Sequence, residues 1–215
     1  MAGTIVITGG AGGLARAIAK EFSEAGHEVR SPGRQELDVT DHEAVTAYFS
    51  GLETDLLVCA AGITRDAPLA KLEESAWDET LAVNLHAAAR CARGVLKGMW
   101  RRKSGHIVFV SSFSALHPPV GQAAYAAAKA GLIGLAKSLA REAGPANVRV
   151  NVILPGFLET PMTARVSPVR RDEVRKDHVL GRFNTPDAVA RFLLTLHEDL
   201  PHTSGQVFQL DSRVA

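Results

Sequence analysis

Cysteine and net charge are both scarce in this chain of 215 residues, and each shortage argues against a class of protein. Cys59 and Cys91 are its two cysteines and form no Cys-x-x-Cys pair, which argues against a disulfide framework and favours a reducing, cytoplasmic compartment. A net charge of +1 gives no general attraction for nucleic acid or for an anionic membrane. No apolar run reaches the roughly 18 residues of a membrane span, and the N-terminus lacks the pattern of a signal peptide. The eight histidines show no metal-ligand spacing, so we expect no metal site.

Short apolar runs of strand length alternate with helical periods along the whole chain. The runs predict strands at 4–8, 27–30, 55–62, 105–112, 147–156 and 204–210. The predicted helices are 13–26, one that begins at 40 or 41, a long helix within 74–103, 122–144 and 186–199. This alternation is typical of an α/β protein with a doubly wound parallel sheet of the Rossmann type. We expect a single domain over residues 1–215, in which the polar segment 161–185 forms a mobile flap.

A glycine-rich stretch, TGGAGGLA at 8–15, joins the first predicted strand to the first helix. Glycines let the backbone approach a pyrophosphate, and the start of a helix attracts its negative charge. A tight turn without a ligand is the alternative interpretation. The position directly after the first strand favours dinucleotide binding.

A second group of residues carries acid–base chemistry. Ser111 and Ser112 end a predicted strand, where α/β sheets place their ligands, and Tyr125 and Lys129 lie one helical turn apart on the next helix. A surface tyrosine beside a solvated lysine is the alternative. That alternative does not explain why a glycine loop, a hydroxyl-bearing strand end and Tyr-x-x-x-Lys occur in this order.

From Thr4 to its C-terminus the chain resembles the short-chain dehydrogenase/reductase family. Within that family, 57–160 is most similar to the β-ketoacyl-acyl-carrier-protein reductases. The motifs that carry the likeness are AGITRD at 61–66, VNL at 83–85, GQAAYAAAKAGLIGLAKSLARE at 121–142 and VNVILPGFLETPMT at 150–163. The resemblance implies a catalytic tetrad of Asn84, Ser112, Tyr125 and Lys129.

The chemistry of ketone reduction suits these four side chains. Tyr125 would donate a proton to the carbonyl oxygen, and we expect the Lys129 ammonium and the oxidised nicotinamide to lower the pKa of its phenol. Ser112 would stabilise the negative charge that develops on that oxygen. We also expect Lys129 to hold the nicotinamide ribose. By resemblance, Asn84 anchors a water molecule that relays protons to Lys129.

Cofactor contacts are expected from the glycine loop, the ends of the next strands and the segment PGFLET at 155–160, which by resemblance holds the nicotinamide carboxamide; a simple turn after a strand is the alternative for that segment. The predicted contacts are Thr8, Gly9, Gly10, Gly13, Leu14, Arg30, Ser31, Arg34, Asp38, Val39, Ala60, Ala61, Gly62, Tyr125, Lys129, Pro155, Gly156, Leu158 and Thr160. Resemblance places Asp38 and Val39 beside adenine. The second strand ends in VRSPGR with no carboxylate, and its arginines suit the 2′-phosphate of NADPH, unless they merely solvate a surface turn.

The segment between the second strand and LDVTD at 37–41 departs most from the family. Only 31–36 intervene, where the family places a helix that leads into a third strand. A parallel crossover needs about a dozen residues, so the helix and the third strand should be shortened or lost. We therefore expect six strands.

These inferences predict an NADPH-dependent reductase of ketones, in the first place of 3-oxoacyl thioesters in fatty acid biosynthesis. The alternatives are a reductase of another carbonyl, such as a polyketide, sugar or steroid, and a dinucleotide-binding regulator without turnover.

Two interaction surfaces are also expected. Family resemblance predicts a homodimer or homotetramer that pairs helices 75–100 and 123–143, with the last strand in a second interface. It also implies an acyl carrier protein docked on Arg101, Arg102 and Lys103. The family's second basic spot falls near Ala146, which is not basic, and we expect the flap residues Arg170, Arg171 and Arg175 to replace it. Ordinary solvated charges are the alternative for all six.

Overall fold

A computed structural model describes residues 2–214, and its six strands form one parallel sheet. The strands are β1 (Thr4–Thr8), β2 (Glu28–Arg30), β3 (Leu56–Cys59), β4 (Gly105–Val110), β5 (Val148–Leu154) and β6 (Val207–Gln209). They lie in the order β2-β1-β3-β4-β5-β6. The prediction of a six-stranded, doubly wound sheet is confirmed.

Seven helices of the described residues cover the two faces of the sheet. They are α1 (Gly13–Glu24), α2 (His42–Phe49), α3 (Glu74–Leu81), α4 (Ala87–Arg102), α5 (Ala123–Ala143), α6 (Pro168–Lys176) and α7 (Pro186–Glu198). Helices α1 and α7 pack on one face, and α2, α4 and α5 pack on the other. β1, β3, β4 and β5 are almost wholly apolar because both of their faces are covered.

The shortened segment after β2 contains neither helix nor strand. Residues 31–41 run directly from β2 to α2, and Leu37 and Val39 from this segment are buried in the core beneath α2 and α4. Asp41 then begins α2 by accepting hydrogen bonds from the N–H groups of Glu43 and Ala44. Two buried apolar side chains thus fill space that a longer crossover would otherwise cover.

Two expectations about local structure were incomplete. The long helix predicted within 74–103 is interrupted between α3 and α4 by a wider π-helical turn, Ala82–His86, at which Asn84 is buried. The segment 161–185, expected to be a flap, holds the regular helix α6, which starts at Pro168 after the Ser167 hydroxyl accepts a hydrogen bond from the N–H of Arg170.

Candidate active site

The start of α1 leaves its backbone amides free for an anion. Gly12 precedes the helix and offers no side chain to cap it, and the first turn carries no acidic residue. Gly9 has a φ of 76°, and a Cβ there would lie 2.8 Å from the Cα of Ala61. The hydroxyl of Thr8 accepts hydrogen bonds from the N–H groups of Ala60 and Ala61, which fixes the ends of β1 and β3 together. These residues fit the pyrophosphate of a dinucleotide.

Gly10, also predicted to contact the cofactor, packs instead against the segment after β2. Its N–H donates a 2.9 Å hydrogen bond to the carbonyl of Pro32, and a Cβ on it would lie 1.9 Å from the carbonyl oxygen of Ser31. The glycine is therefore required by close backbone packing. The Ser31 hydroxyl is buried without a hydrogen-bond partner among the described residues.

The two arginines predicted to select the cofactor are exposed and paired with carboxylates. Arg30 donates two hydrogen bonds to Glu28, at 2.9 and 2.8 Å, and Arg34 lies 3.4 Å from Asp38. Hydrogen bonds from the hydroxyl and N–H of Thr40, and secondarily Arg34, lower the pKa of Asp38. The Val39 side chain is buried in the core, and the place of this residue beside adenine stays a prediction. The sequence shows that no carboxylate ends the second strand, but it does not show that Arg30 and Arg34 form ion pairs with Glu28 and Asp38.

Tyr125, Lys129 and Ser112 meet at one cavity at the carboxyl edge of the sheet. The cavity has a volume of about 300 Å³. The Lys129 ammonium lies 5.6 Å from the Tyr125 ring centroid and donates a 2.9 Å hydrogen bond to the carbonyl of Val110. The Ser111 hydroxyl donates to the carbonyl of Lys129 at 2.7 Å, which ties α5 to the end of β4. The sheet edge and one helix therefore fix the relative positions of the three side chains.

Burial dominates the protonation of these groups. It raises the pKa of Tyr125 to about 12, against a smaller opposing effect of a hydrogen bond with Ser112, and it lowers the pKa of Lys129 to about 8. Burial therefore acts against the lowering of the Tyr125 pKa that was expected from Lys129 and the oxidised nicotinamide, and that lowering stays a prediction for the complex with cofactor. Tyr125 is protonated at neutral pH, and Lys129 is mostly an ammonium.

Asn84 is buried between the end of β3 and α5. Its amide nitrogen donates to the carbonyls of Ile63 and Thr80, both at 2.9 Å, which leaves the amide oxygen without a partner among residues 2–214. A Cβ on Gly62 would lie 2.8 Å from that oxygen and 3.5 Å from the Lys129 ammonium. An unsatisfied acceptor therefore lies next to the lysine.

The segment after β5 closes the cavity against the glycine loop. A Cβ on Gly13 would lie 3.1 Å from the Thr160 side chain, so the two segments are nearly in contact. The Thr163 hydroxyl donates to the carbonyl of Leu158 and accepts from the N–H of Thr160, which holds the segment in shape. Gly156 adopts a φ of 85° beside Asp211.

Most of the predicted site residues line this cavity, and the remainder lie around it. Those on its wall are Gly9, Gly13, Leu14, Ala60, Gly62, Ser112, Tyr125, Lys129, Pro155, Gly156, Leu158 and Thr160. Those off it are Thr8, Gly10, Arg30, Ser31, Arg34, Asp38, Val39, Ala61 and Asn84. Residues 2–214 hold no cluster of three metal-ligating side chains.

Several residues of the cavity wall were not predicted from the sequence, among them Asp66, Phe113, Gln122 and Arg213. Gln122 donates a 2.8 Å hydrogen bond to Asp66 and accepts one from Ser114. Arg213 comes from the C-terminal tail after β6, where no motif marks it. The sequence does mark the other three: Phe113 directly follows Ser112, Asp66 ends the motif AGITRD, and Gln122 lies in the motif that begins at 121.

This fold and site define an oxidoreductase that uses a nicotinamide dinucleotide. The chain matches the family model described as enoyl-(acyl carrier protein) reductase over residues 30–212. It is 34% identical over 240 residues, 99% of the chain and 97% of the relative, to the 3-oxoacyl-[acyl-carrier-protein] reductase FabG of Chlamydia trachomatis. It is 38% identical over 202 residues, 86% of the chain and 84% of the relative, to the acetoacetyl-CoA reductase of Synechocystis.

A solved structure agrees with these relatives. An oxidoreductase of the short-chain dehydrogenase/reductase family from Burkholderia thailandensis superposes with a TM-score of 0.91 at 33% identity, covering 99% of this chain and 92% of that one. The chain belongs to the short-chain dehydrogenase/reductase family. No helix among residues 2–214 is long and apolar enough to cross a membrane.

Proposed function

We propose that this protein is an NADPH-dependent reductase that converts 3-oxoacyl thioesters to 3-hydroxyacyl thioesters, in cytoplasmic fatty acid synthesis. The observation that carries the proposal is the single cavity that Tyr125, Ser112 and Lys129 share with the uncapped start of α1. The names of the curated relatives support the substrate class.

The chain's own residues would hold the substrate and deliver one proton. The bound cofactor would supply hydride to the ketone carbon. Tyr125 is protonated at neutral pH and donates its proton to the ketone oxygen, while the Ser112 hydroxyl donates a hydrogen bond to the same oxygen. The Lys129 ammonium binds the ribose and stabilises the phenolate that remains. The unpartnered oxygen of Asn84 suits a water molecule that returns a proton toward Lys129.

NADPH is the proposed cofactor because Arg30 at the end of β2 and Arg34 in the following loop carry guanidinium groups, which suit a 2′-phosphate. Their ion pairs with Glu28 and Asp38 are exposed, and exposed pairs contribute only about 0–1 kcal/mol. A dianionic phosphate can therefore replace the carboxylate at either guanidinium. Arg34, with 78% of its side chain exposed, is the freer of the two.

The function is tested by following reduced nicotinamide with a panel of substrates. Acetoacetyl-CoA should be reduced rapidly, whereas crotonyl-CoA, which offers a C=C bond, and unrelated ketones should react slowly. Tyr125→Phe should retain cofactor binding and lose at least about 100-fold in turnover, since general acid catalysis contributes on the order of 10² to 10⁴.

The chain offers a matched control, because Tyr48 on α2 is its other tyrosine. Tyr48→Phe should retain full activity. Rapid turnover of a different carbonyl would assign the protein to another branch of the family. No turnover of any substrate would favour a regulator that binds a dinucleotide.

A carrier protein is the proposed partner, and the structure narrows where it can dock. Arg101, Arg102 and Lys103 precede β4, so in one protomer they lie about 20 Å, the length of that strand, from Ser112 at its other end. Arg102 also donates a 2.7 Å hydrogen bond to the carbonyl of Thr54 and is therefore structural.

The arginines of α6 lie at the catalytic edge, and Arg170 lines a cavity of about 580 Å³ that adjoins the first. Arg170 and Arg175 each pair with a carboxylate of their own helix. Replacing both by glutamate should weaken activity on an acyl-carrier thioester severalfold and leave the CoA thioester unchanged. Arg101→Glu with Lys103→Glu tests the other spot without disturbing Arg102.

The proposed assembly is a dimer or tetramer through α4 and α5. Exposed Trp100 on α4 and the exposed small residues Ala127, Ala130 and Gly134 on α5 provide surface for close helix packing. Light scattering at micromolar concentration should give a multiple of 22.9 kDa. A monomer would contradict this assembly.

A further inference from the structure

The C-terminal tail places a guanidinium in the wall of the active-site cavity. Arg213 lines both the cavity that holds Tyr125 and the adjoining cavity of about 580 Å³. Its guanidinium carbon lies 3.7 Å from the centroid of the Phe113 ring, and Phe113 directly follows Ser112. The guanidinium thus stacks on the residue that follows Ser112, and the hydroxyl of Ser112 is the group proposed to bind the ketone oxygen.

A buried carboxylate fixes the orientation of this side chain. Arg213 donates a 2.6 Å hydrogen bond from Nε to one oxygen of Asp211, and its Nη2 lies 2.6 Å from the same oxygen in an ion pair. The Asp211 side chain is 0% exposed and that of Arg213 is 11% exposed. Gln209 donates to the other Asp211 oxygen at 2.9 Å and to the carbonyl of Arg213 at 2.6 Å. His178 lies two residues after the end of α6, and its Nε2 atom is 3.6 Å from Oδ2 of Asp211.

One donor of the guanidinium remains available. Nη1 makes no hydrogen bond with any residue of the range 2–214, and it is not among the buried polar atoms without a partner, so it keeps solvent access. Because Nε is hydrogen-bonded to Asp211 and the guanidinium stacks on Phe113, a rotation that withdraws Nη1 would break both the hydrogen bond and the stacking contact. A group in the cavity therefore meets a preorganised donor.

The charges around Arg213 favour a neutral acceptor over an anion. Asp211 forms an ion pair with the guanidinium and so balances its positive charge, and Asp66 lies on the wall of the same cavity. In the adjoining cavity Arg170 pairs with Glu173 of its own helix, and Asp177 lines the same wall. An anionic group would meet these carboxylates, whereas a carbonyl oxygen would gain a charge-assisted hydrogen bond at little cost.

We propose that Arg213 determines specificity for 3-oxoacyl thioesters by donating a hydrogen bond from Nη1 to the thioester carbonyl oxygen. The inference rests on the proposed function and adds the residue that recognises the second carbonyl. In such a substrate one CH₂ separates the two carbonyl carbons, so their oxygens require neighbouring donors. Ser112 with Tyr125 supplies one donor site, and Arg213, stacked on the residue after Ser112, supplies the other.

Two substrates that differ only in the second carbonyl test this assignment. S-acetoacetyl-N-acetylcysteamine carries it, and S-(3-oxobutyl)-N-acetylcysteamine, the thioether, does not. A hydrogen bond from a charged donor corresponds to roughly 10- to 100-fold in kcat/KM. Arg213→Met should lose that factor on the thioester and change less than about threefold on the thioether.

Removing Arg213 alone leaves Asp211 buried without its cation, so the double variant Arg213→Met with Asp211→Asn is measured in parallel. NADPH affinity, followed by cofactor fluorescence, should match the wild type in both variants and serves as the control for folding. Arg213→Lys, which keeps the charge but loses the two-point hold on Asp211, should recover only part of the thioester rate.

The outcomes separate this inference from the function on which it rests. Selective loss on the thioester supports it. Equal losses on both substrates, or no loss on either, overturn it while leaving the reductase function intact. A wild-type preference for free acetoacetate that disappears in Arg213→Met would overturn it in favour of anion binding. Wild-type inactivity on both substrates would overturn the proposed function and the inference together.

Discussion

Three histidines at the edge of the sheet opposite the active site should make the fold sensitive to mild acid. The rings of His106 and His197 stack at 5.6 Å with an interplanar angle of 10°, and their Nδ1 atoms lie 3.4 Å apart. His27 packs against His197 at 5.9 Å and bonds Glu198. Arg149 donates a 2.7 Å hydrogen bond to the carbonyl of His197. Protonation of His106 or His197 would therefore add a positive charge close to Arg149 and to the other imidazole rings, which is unfavourable.

Burial, followed by the nearby Arg149 and His27 charges, lowers the pKa of His197 from 6.5 to about 4, against weaker opposing effects of Glu198 and Asp55. Burial also lowers the pKa of His106 well below 6.5. In the unfolded chain both imidazoles take up protons near pH 6.5, whereas in the folded protein they remain neutral. The folded state is thus fully stabilised above pH 6.5 and loses stability as the pH falls toward 4.

The size of the effect follows from proton linkage. Between about pH 7.5 and pH 5 the unfolded chain gains roughly 2 kcal/mol from protonation of His197 alone, because the folded site stays unprotonated over that range. His106 adds a loss of the same sign. Such a change is a large part of the 5–15 kcal/mol that typically stabilises a domain.

Urea unfolding at the two pH values, followed by circular dichroism, measures this loss. His197→Phe keeps an aromatic ring in the stack and removes one titrating group, so its loss of stability between the two pH values should be smaller than that of the wild type by about 2 kcal/mol. His202 is exposed, and His202→Asn should leave the pH dependence unchanged. An identical pH dependence in the wild type and His197→Phe would refute the reasoning.

Two further predictions concern the cofactor half of the molecule. The wild type should prefer NADPH to NADH by at least about tenfold in kcat/KM, equivalent to about 1.4 kcal/mol, and Arg30→Ala with Arg34→Ala should remove most of that preference; equal efficiency with both cofactors in the wild type contradicts it. Gly10→Ala should lower the free energy of unfolding by about 3 kcal/mol, because the new methyl group would meet backbone at 1.9 Å. Gly144→Ala, where nothing lies within 4 Å, is the control and should have little effect in urea unfolding.

The sequence predicted the fold well because its strongest signals are local. Continuous apolar runs predict the central strands, because these strands are buried on both faces. The six residues 31–36 are too few for a parallel crossover, which correctly predicted a sheet of six strands. The spacing of Tyr125 and Lys129 predicted a shared helix face, and the two side chains do share one cavity.

The features that were missed depend on tertiary contacts. The interruption at Ala82–His86 is stabilised by Asn84 bonding to a loop twenty-one residues away, which no helical period reveals. The helix α6 is so polar that its sequence is typical of a loop, and only its Ser167 cap with Pro168 marks a start. Arg213 lies in a short tail with no periodicity, and folding alone brings it to Phe113.

The short connection between β2 and α2 determines how the chain packs where the adenosine of the cofactor is expected to bind. Because no helix follows β2 directly, Ser31 and Pro32 pack against the glycine loop, and a Cβ at Gly10 would clash with the backbone of Ser31. The same short path turns the side chains of Leu37 and Val39 into the core. What this segment and the end of β2 still offer a nucleotide is backbone, the Asp38 carboxylate and the exposed guanidinium groups of Arg30 and Arg34. Cofactor selectivity in this chain should therefore depend on charge at the 2′-position more than on shape around the base.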